Sequence, residues 1–291
     1  MPIDPKRIAL GWPNYIDEAT LTGGRWLPTL PLTHLQDART AVVAKSASLA
    51  PEDTQYWITL PKRRRVHALC LYAHNLSSTA TIRARVYRDT AGQDLIYDTG
   101  RVNAWPITYG LDDVLWGDDN FWNRRLSEDD RQSYTPRAIV AFDDRFIASA
   151  VHVEIHDPAN LDGAVTLGRA LLVDVWQPNY NVNFGIKHGY NSGTEVKTAK
   201  DQNRTRYARR ITPKRTVTFD LGFLNESEAF LRLHRLQRTE DIVGEILYIY
   251  STDPTPENNA RNMVCHQTDL DPLTHSFVAN FENGMSLLEI L

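Results

Sequence analysis

The most enzyme-like stretch of the sequence is His152-Val-Glu-Ile-His-Asp157. On a β-strand, alternation puts His152, Glu154 and His156 on one face, with imidazole and carboxylate donors suited to zinc or another divalent metal. Same-face neighbours on a strand lie about 7 Å apart, so three converge only with favourable rotamers, and a tight zinc site recruits a further ligand from elsewhere. The simpler reading is favoured: a solvated strand face whose neighbours Val151, Val153 and Ile155 point into the core. No metal-binding, cofactor-binding or catalytic residue is assigned from this stretch.

The carboxylate pairs Asp112-Asp113, Asp118-Asp119 and Asp129-Asp130 have the residue types of glycoside hydrolysis. That chemistry needs a defined separation across a cleft, which chain neighbours do not report. They read as solvated loop acids, and no Asp-x-Asp-x-Asp-Gly spacing supports calcium. The chain has no Gly-x-Ser-x-Gly elbow, Walker loop, Gly-x-Gly-x-x-Gly turn or His-Glu-x-x-His pair. A non-enzymatic protein without a cofactor is therefore expected.

Two further groups point to contacts. Arg204, Arg206, Arg209, Arg210, Lys214 and Arg215 run without an intervening acid, and Tyr207 lies among them. Arginines with an interleaved aromatic suit nucleic acid, but a net charge of −4 gives the chain no general attraction to nucleic acid or anionic membrane. A subunit contact or solvated loop is the preferred reading. The segment from Gly110 to Ser133 is acidic and tryptophan-rich, so charge pairing with the basic run, between copies or with neighbours, is expected. Trp105, Trp116, Phe121 and Trp122, in or beside that segment, would serve sugar stacking or a protein interface, or would pack onto their own domain. The candidate interface is thus Trp105, Trp116, Phe121 and Trp122 with Arg204, Arg206, Arg209 and Arg210.

The elements that must position these residues are mostly strands. A length of 291 residues with 42% hydrophobic and 23% charged residues is a folding composition for two domains, not a disordered one. From Tyr56 to Trp176, short apolar or alternating runs are bounded by Asp, Gly, Asn and Pro, the pattern of an antiparallel β-sandwich or barrel. The runs are Tyr56 to Leu60, Val66 to Ala73, Ala80 to Tyr87, Leu95 to Asp98, Arg137 to Phe142, Ser149 to His156 and Val165 to Trp176. The continuous apolar stretches Ala68 to Ala73 and Arg169 to Trp176 predict central strands covered on both sides. A turn-rich stretch at Gln177-Pro-Asn-Tyr-Asn places a domain break there, giving residues 1–176 and 177–291. In the second part, Asn225 and Glu228 have capping-box spacing ahead of Ala229, Phe230, Leu233 and Leu236, which predicts one amphipathic helix near 225–238 on a small sheet. Strands there are expected over Ile242 to Tyr250, Met263 to Leu270, Ser276 to Phe281 and Met285 to Ile290. Cys70 and Cys265 lie in apolar runs and are expected to be buried free thiols. No secretory signal follows Met1, and no apolar run is long enough to span a bilayer.

Several segments resemble structural proteins of tailed bacteriophages. They are Pro13-Asn-Tyr-Ile-Asp-Glu-Ala-Thr-Leu-Thr-Gly-Gly-Arg-Trp, Leu30-Pro-Leu-Thr-His-Leu-Gln-Asp, Ala41-Val-Val-Ala-Lys-Ser and Val66-His-Ala-Leu-Cys-Leu-Tyr-Ala-His-Asn-Leu-Ser. Leu172-Val-Asp-Val-Trp-Gln-Pro, Phe219-Asp-Leu-Gly-Phe-Leu-Asn-Glu-Ser-Glu-Ala and Leu287-Leu-Glu-Ile extend the likeness over most of the chain. The resemblance implies a discoidin-like jelly roll followed by a β-rich assembly module. It implies a virion part of the tail tip or baseplate, made in the host cytoplasm, present in several copies around the tail axis and contacting other tail proteins. It carries over no ligand residue. The alternative from another class is a carbohydrate-binding or adhesion module that recognises host glycans.

Overall fold

The computed structural model describes residues 2–105, 108–118, 120–122, 124–127, 131, 135–198 and 206–291. Arg204 of the expected interface, and Asp119, Asp129 and Asp130 among the paired acids, lie outside the described residues. The chain is mainly β and divides into two compact units, Met1–Gln177 with Ile246–Met263, and Pro178–Glu245 with Val264–Leu291. The contiguous second part expected from sequence therefore gives up Ile246–Met263 to the first unit.

The first unit is an antiparallel β-sandwich. Its strands are β1 (Ala9–Gly11), β2 (Thr20–Thr22), β3 (Ala44–Lys45), β4 (Gln55–His74), β5 (Thr81–Tyr87), β6 (Leu95–Asp98), β7 (Val102–Asn103), β8 (Arg137–His156), β9 (Thr166–Val173) and β10 (Val175–Trp176). Four of the short runs expected from sequence are two long strands. β4 and β8 are each 20 residues long and pair antiparallel along most of their length, with register shifts between Thr59 and Arg64 and between Val66 and Ala68. The first irregularity leaves Pro61 to Arg63 opposite Ser149 and the second leaves Asp143 and Asp144 opposite His67, so the ribbon bends where these five residues are exposed. The early part of β4 pairs with β2 and the late part of β8, and β5 continues that layer. The late part of β4 pairs with β9 and the early part of β8.

The two layers share one core. Tyr56, Ile58 and Leu60 from one half of β4 join Leu69 and Leu71 from the other, with Val140, Phe142, Val151, Val153 and Ile155 of β8 and Leu172 of β9. The first half of β4 alternates between buried and half-buried residues, whereas Val66 to Tyr72 is buried at every position. The same holds for Leu167 to Val173 in β9, so both strands expected to be covered on two sides are covered. Cys70 is among them, and both cysteines are buried thiols outside any disulfide, as expected. β1 pairs with β10 and with the strand Ile246–Ile249, which explains why that late segment belongs to the first unit.

In the second unit, the strand Lys214–Leu224 pairs with Asn280–Glu289, and Lys187–Asn191 lies along its other edge. Asn225 caps a helix over 226–240, accepting from the Glu228 amide at 2.9 Å while the Glu228 carboxylate accepts from the Asn225 amide at 3.3 Å. The helix buries Ala229, Leu233 and Leu236. Phe230, expected on that apolar face, is instead half exposed and edge-on to Phe281, because the turn Ala229–Leu233 is π-helical and rotates the periodicity. No helix among the described residues is long and apolar enough to cross a membrane. Asn225→Ala removes the reciprocal cap and is expected to destabilise the second unit by about 1 kcal/mol, read as a lower urea midpoint at unchanged slope.

Candidate ligand pocket

A cleft of about 610 Å³ in the first unit gathers side chains from three connections: the one leaving β4, the one leading into β8 and the one between β8 and β9. The chain enters it through Ala73, whose φ of +53 is left-handed, a conformation uncommon for a residue with a Cβ. Gly168 on β9 makes room for this turn: a Cβ there would come within 2.8 Å of Ala73 Cβ and 2.6 Å of the Thr40 carbonyl. His74 follows at the wall of the cleft, 4% exposed, with its ring edge-on to Trp105 at 5.2 Å.

The walls are held by a buried carboxylate. Asp157, 1% exposed, accepts from the Ser77 amide at 2.9 Å, from the Ser77 hydroxyl, and from Asn160 Nδ2 at 2.9 Å. Asn75 ties the same two connections together, its Nδ2 donating to Asp162 at 2.8 Å and to the Ala164 carbonyl at 3.0 Å. The Leu76 backbone is the meeting point of the third. Its carbonyl accepts from Arg131 Nη1 at 2.7 Å and from Trp105 Nε1 at 3.0 Å, and its amide donates to His74 Nδ1 at 3.3 Å. With Nδ1 accepting, the ring proton of a neutral His74 belongs on Nε2. Burial, helped by the Arg131 and Arg137 charges, pushes the His74 pKa down to about 3, so the ring stays neutral at physiological pH.

The pocket therefore combines a cation at Arg131, a carboxylate at Asp162, amides at Asn75 and Asn160 and hydroxyls at Ser78 and Thr79. Beside them stand apolar Pro136, the Trp105 ring and Leu161, which is 94% exposed. Directional donors and acceptors beside an apolar patch suit a small ligand that has many hydroxyls on one aspect and C–H surface on another.

The residues singled out from sequence are distributed differently. Trp105 is 2% exposed and part of the core, so it is not a surface interface residue; its indole N–H is consumed inside the fold. Trp116 and Trp122 are 79% and 82% exposed and form a mutually edge-on trio with Phe121, with ring centroids 5.2 to 5.8 Å apart. Arg206, Arg209 and Arg210 are exposed in the second unit.

The His152 face is occupied by the protein itself. Val151, Val153 and Ile155 point into the core as expected, but the opposite face is not simply solvated. His152 is buried under Trp57 at 4.4 Å between ring centroids, and the Glu154 carboxylate is paired with the Arg85 guanidinium. His152 Nδ1 lies 3.7 Å from Glu154, beyond hydrogen-bond reach. Among the described residues no group of three His, Cys, Asp or Glu side chains is placed to hold a metal. Apart from Trp105, the pocket residues escaped the sequence reading, although one local signal exists: the run His74-Asn-Leu-Ser-Ser-Thr directly after the wholly apolar Ala68 to Ala73 marks the mouth of a core strand.

No protein-family model matches the chain, and no curated protein matches it. Among solved structures, the chain is similar to a lectin binding domain of lectinolysin complexed with Lewis b, at 13% identity and a TM-score of 0.35, covering 56% of this chain and 96% of that one. It is similar to a family 32 carbohydrate-binding module of NanJ from Clostridium perfringens in complex with galactose, at 12% identity and a TM-score of 0.37, covering 57% and 99%. A fucose binding module of Streptococcus pneumoniae matches at 10% identity and a TM-score of 0.36, covering 55% and 94%. The fold described above rests on the strand register of this chain.

Burial, with the Arg85 and Arg83 charges, also pushes His152 down, to about 4. Both histidines thus bind protons more weakly folded than unfolded, where 6.5 is ordinary. Stability is fully present above pH 6.5 and is lost as pH falls towards 4. The melting temperature of the first unit is expected to drop across that window, and His152→Gln to flatten the slope.

Proposed function

We propose that the first unit is a carbohydrate-binding module and that the pocket beside His74 holds the sugar. The observation that carries this reading is the composition of that pocket: Arg131, Asp162, Asn75 and Asn160 next to Pro136 and the exposed Leu161. A pyranose presents hydroxyls around its edge and C–H groups on its faces, and a fan of directional polar groups beside an apolar patch meets both. The pocket is braced by Asp157 and the Leu76 backbone, so little side-chain freedom is lost on binding.

A second reading, a structural part of a phage tail tip or baseplate, is supported by a different feature. The exposed Trp116, Phe121 and Trp122 trio is an apolar surface that a solitary sugar-binding module does not need. On this reading an antibody to the protein labels the tail end of purified phage particles; unlabelled particles would remove it.

The carbohydrate reading is tested on the full chain by a glycan array followed by calorimetric titration of the best ligand. Asp162→Ala and Leu161→Ala change exposed or rim positions and are expected to weaken binding about tenfold or more, the cost of about 1.4 kcal/mol, while Trp116→Ala with Trp122→Ala leaves it unchanged. Binding lost in the tryptophan variant and kept in the pocket variants would overturn the assignment of the pocket.

A further inference from the structure

In the second unit the strands Glu195–Thr198 and Arg206–Arg209 form a two-stranded sheet of their own, paired Glu195 to Arg209, Val196 to Ala208, Lys197 to Tyr207 and Thr198 to Arg206. Every one of its eight residues is exposed. An isolated two-stranded sheet is marginal at best in water, because neither face buries apolar area to offset the ordering of its backbone. Opposed residues share a face, so one side carries Lys197, Tyr207 and Arg209 with Glu195, and the other carries Val196, Ala208 and Arg206. Arg210 follows directly, and Tyr207 is 63% exposed. This is a basic hairpin with an aromatic on it, and it lacks a covering layer among the described residues.

The first unit has a surface of the opposite kind. Asp112, Asp113 and Asp118 are exposed beside Trp116 and Trp122. Across the whole Gly110 to Ser133 segment the sequence has seven acids against the three arginines 124, 125 and 131. Two of these acids are held by their own loop: Asp113 accepts from the Gly110 amide at 3.0 Å and Asp118 from the Leu115 amide at 3.1 Å. The turn is thereby shaped while its carboxylates still face solvent. An exposed aromatic segment rich in exposed carboxylates matches a hairpin of arginines and a tyrosine in two respects. Guanidinium groups stack on indole faces, and they pair with carboxylates in bidentate geometry.

We propose that the hairpin of one copy docks on the Trp116, Phe121 and Trp122 surface of a second copy of this chain. The two surfaces differ, so the contact is heterologous; repeated head to tail it closes into a ring or extends as a filament. Arg209, on the Tyr207 face, supplies the cationic contact, with Arg206 and Arg210 adding to the positive charge of the hairpin, and Asp112, Asp113 and Asp118 supply the anionic side. The inference stands on different residues from the sugar pocket and does not depend on it.

The test is sedimentation velocity of the full chain across a range of concentrations, in low and high salt. Self-association is expected at about 0.1 M salt and is expected to weaken at about 1 M, as the screening length contracts from about 10 to about 3 Å. Arg206→Glu with Arg209→Glu and Arg210→Glu should lower the association constant at least about tenfold. Asp112→Lys with Asp113→Lys and Asp118→Lys should do the same. Each reversed chain alone presents like charges on both surfaces, whereas a mixture of the two restores opposite charges at both contacts. Mixed assembly is therefore expected from two chains that are each monomeric. A wild-type chain that stays monomeric at low salt would overturn the proposal, as would reversed chains that associate normally or fail to associate when mixed. Unchanged circular dichroism and melting temperature in the reversed chains separate a lost contact from a lost fold.

Discussion

The first unit depends on one ribbon: β4 and β8, two strands of 20 residues paired to each other through both layers of the sandwich. A sandwich is ordinarily stitched together by loops that cross between sheets. Here the same two strands supply backbone hydrogen bonds to both layers, and the register shifts near Thr59 to Ala68 let the ribbon fold over its own apolar side. Tyr56 and Leu71 therefore meet in one core although they lie on different halves of one strand. The elbow is polar because neither face of it is covered: Pro61, Lys62 and Arg63 are exposed.

Closing the ribbon brings the strand ends and their connections together. The exit of β4 and the connection after β8 converge, and their backbone polar groups need partners once water is excluded. Asp157 and Asn75 answer that need, and they hold His74, Arg131 and Asp162 in one cleft. The Asp157 carboxylate accepts from three donors, and the histidine nearby stays neutral because it is desolvated beside two arginines. The same balance recurs at His152, where Arg85 is committed to Glu154 and the imidazole is left neutral under Trp57. A strand face that looks like a metal site in one dimension is thus a closed ion-pair and stacking arrangement in three.

The second unit has a different economy. Its helix is anchored by a reciprocal cap and a narrow buried stripe, and the π-helical turn sends Phe230 off that stripe. Its hairpin, by contrast, buries none of its described strand residues. Exposed Tyr207 and the arginines of the hairpin, and exposed Trp116 and Trp122 of the first unit, are different residues from those lining the cleft beside His74. The proposed sugar site and the proposed assembly contact therefore rest on separate residues.

Local pattern was enough for much of this. The strand run Tyr56 to Leu60, the continuous apolar runs at Ala68 to Ala73 and in β9, the Asn225 to Glu228 cap and the inward-pointing Val151, Val153 and Ile155 follow from side-chain type and spacing, because burial on one face, on two faces, or at a helix end is a short-range property. What needed the tertiary structure was every feature set by distant pairing. Pro61 to Arg63 and Asp143 to Arg145 separate the runs read from sequence, yet they are bulges within two strands that pair on both sides of them. Ile246–Met263 joins the first unit because its strand completes a pairing with β1. Trp105 sits in an acidic, tryptophan-rich neighbourhood, but a carbonyl at Leu76 receives its indole and takes it into the core. The pocket itself is assembled from residues 74 to 162, and only the closure of the ribbon brings them within hydrogen-bond distance.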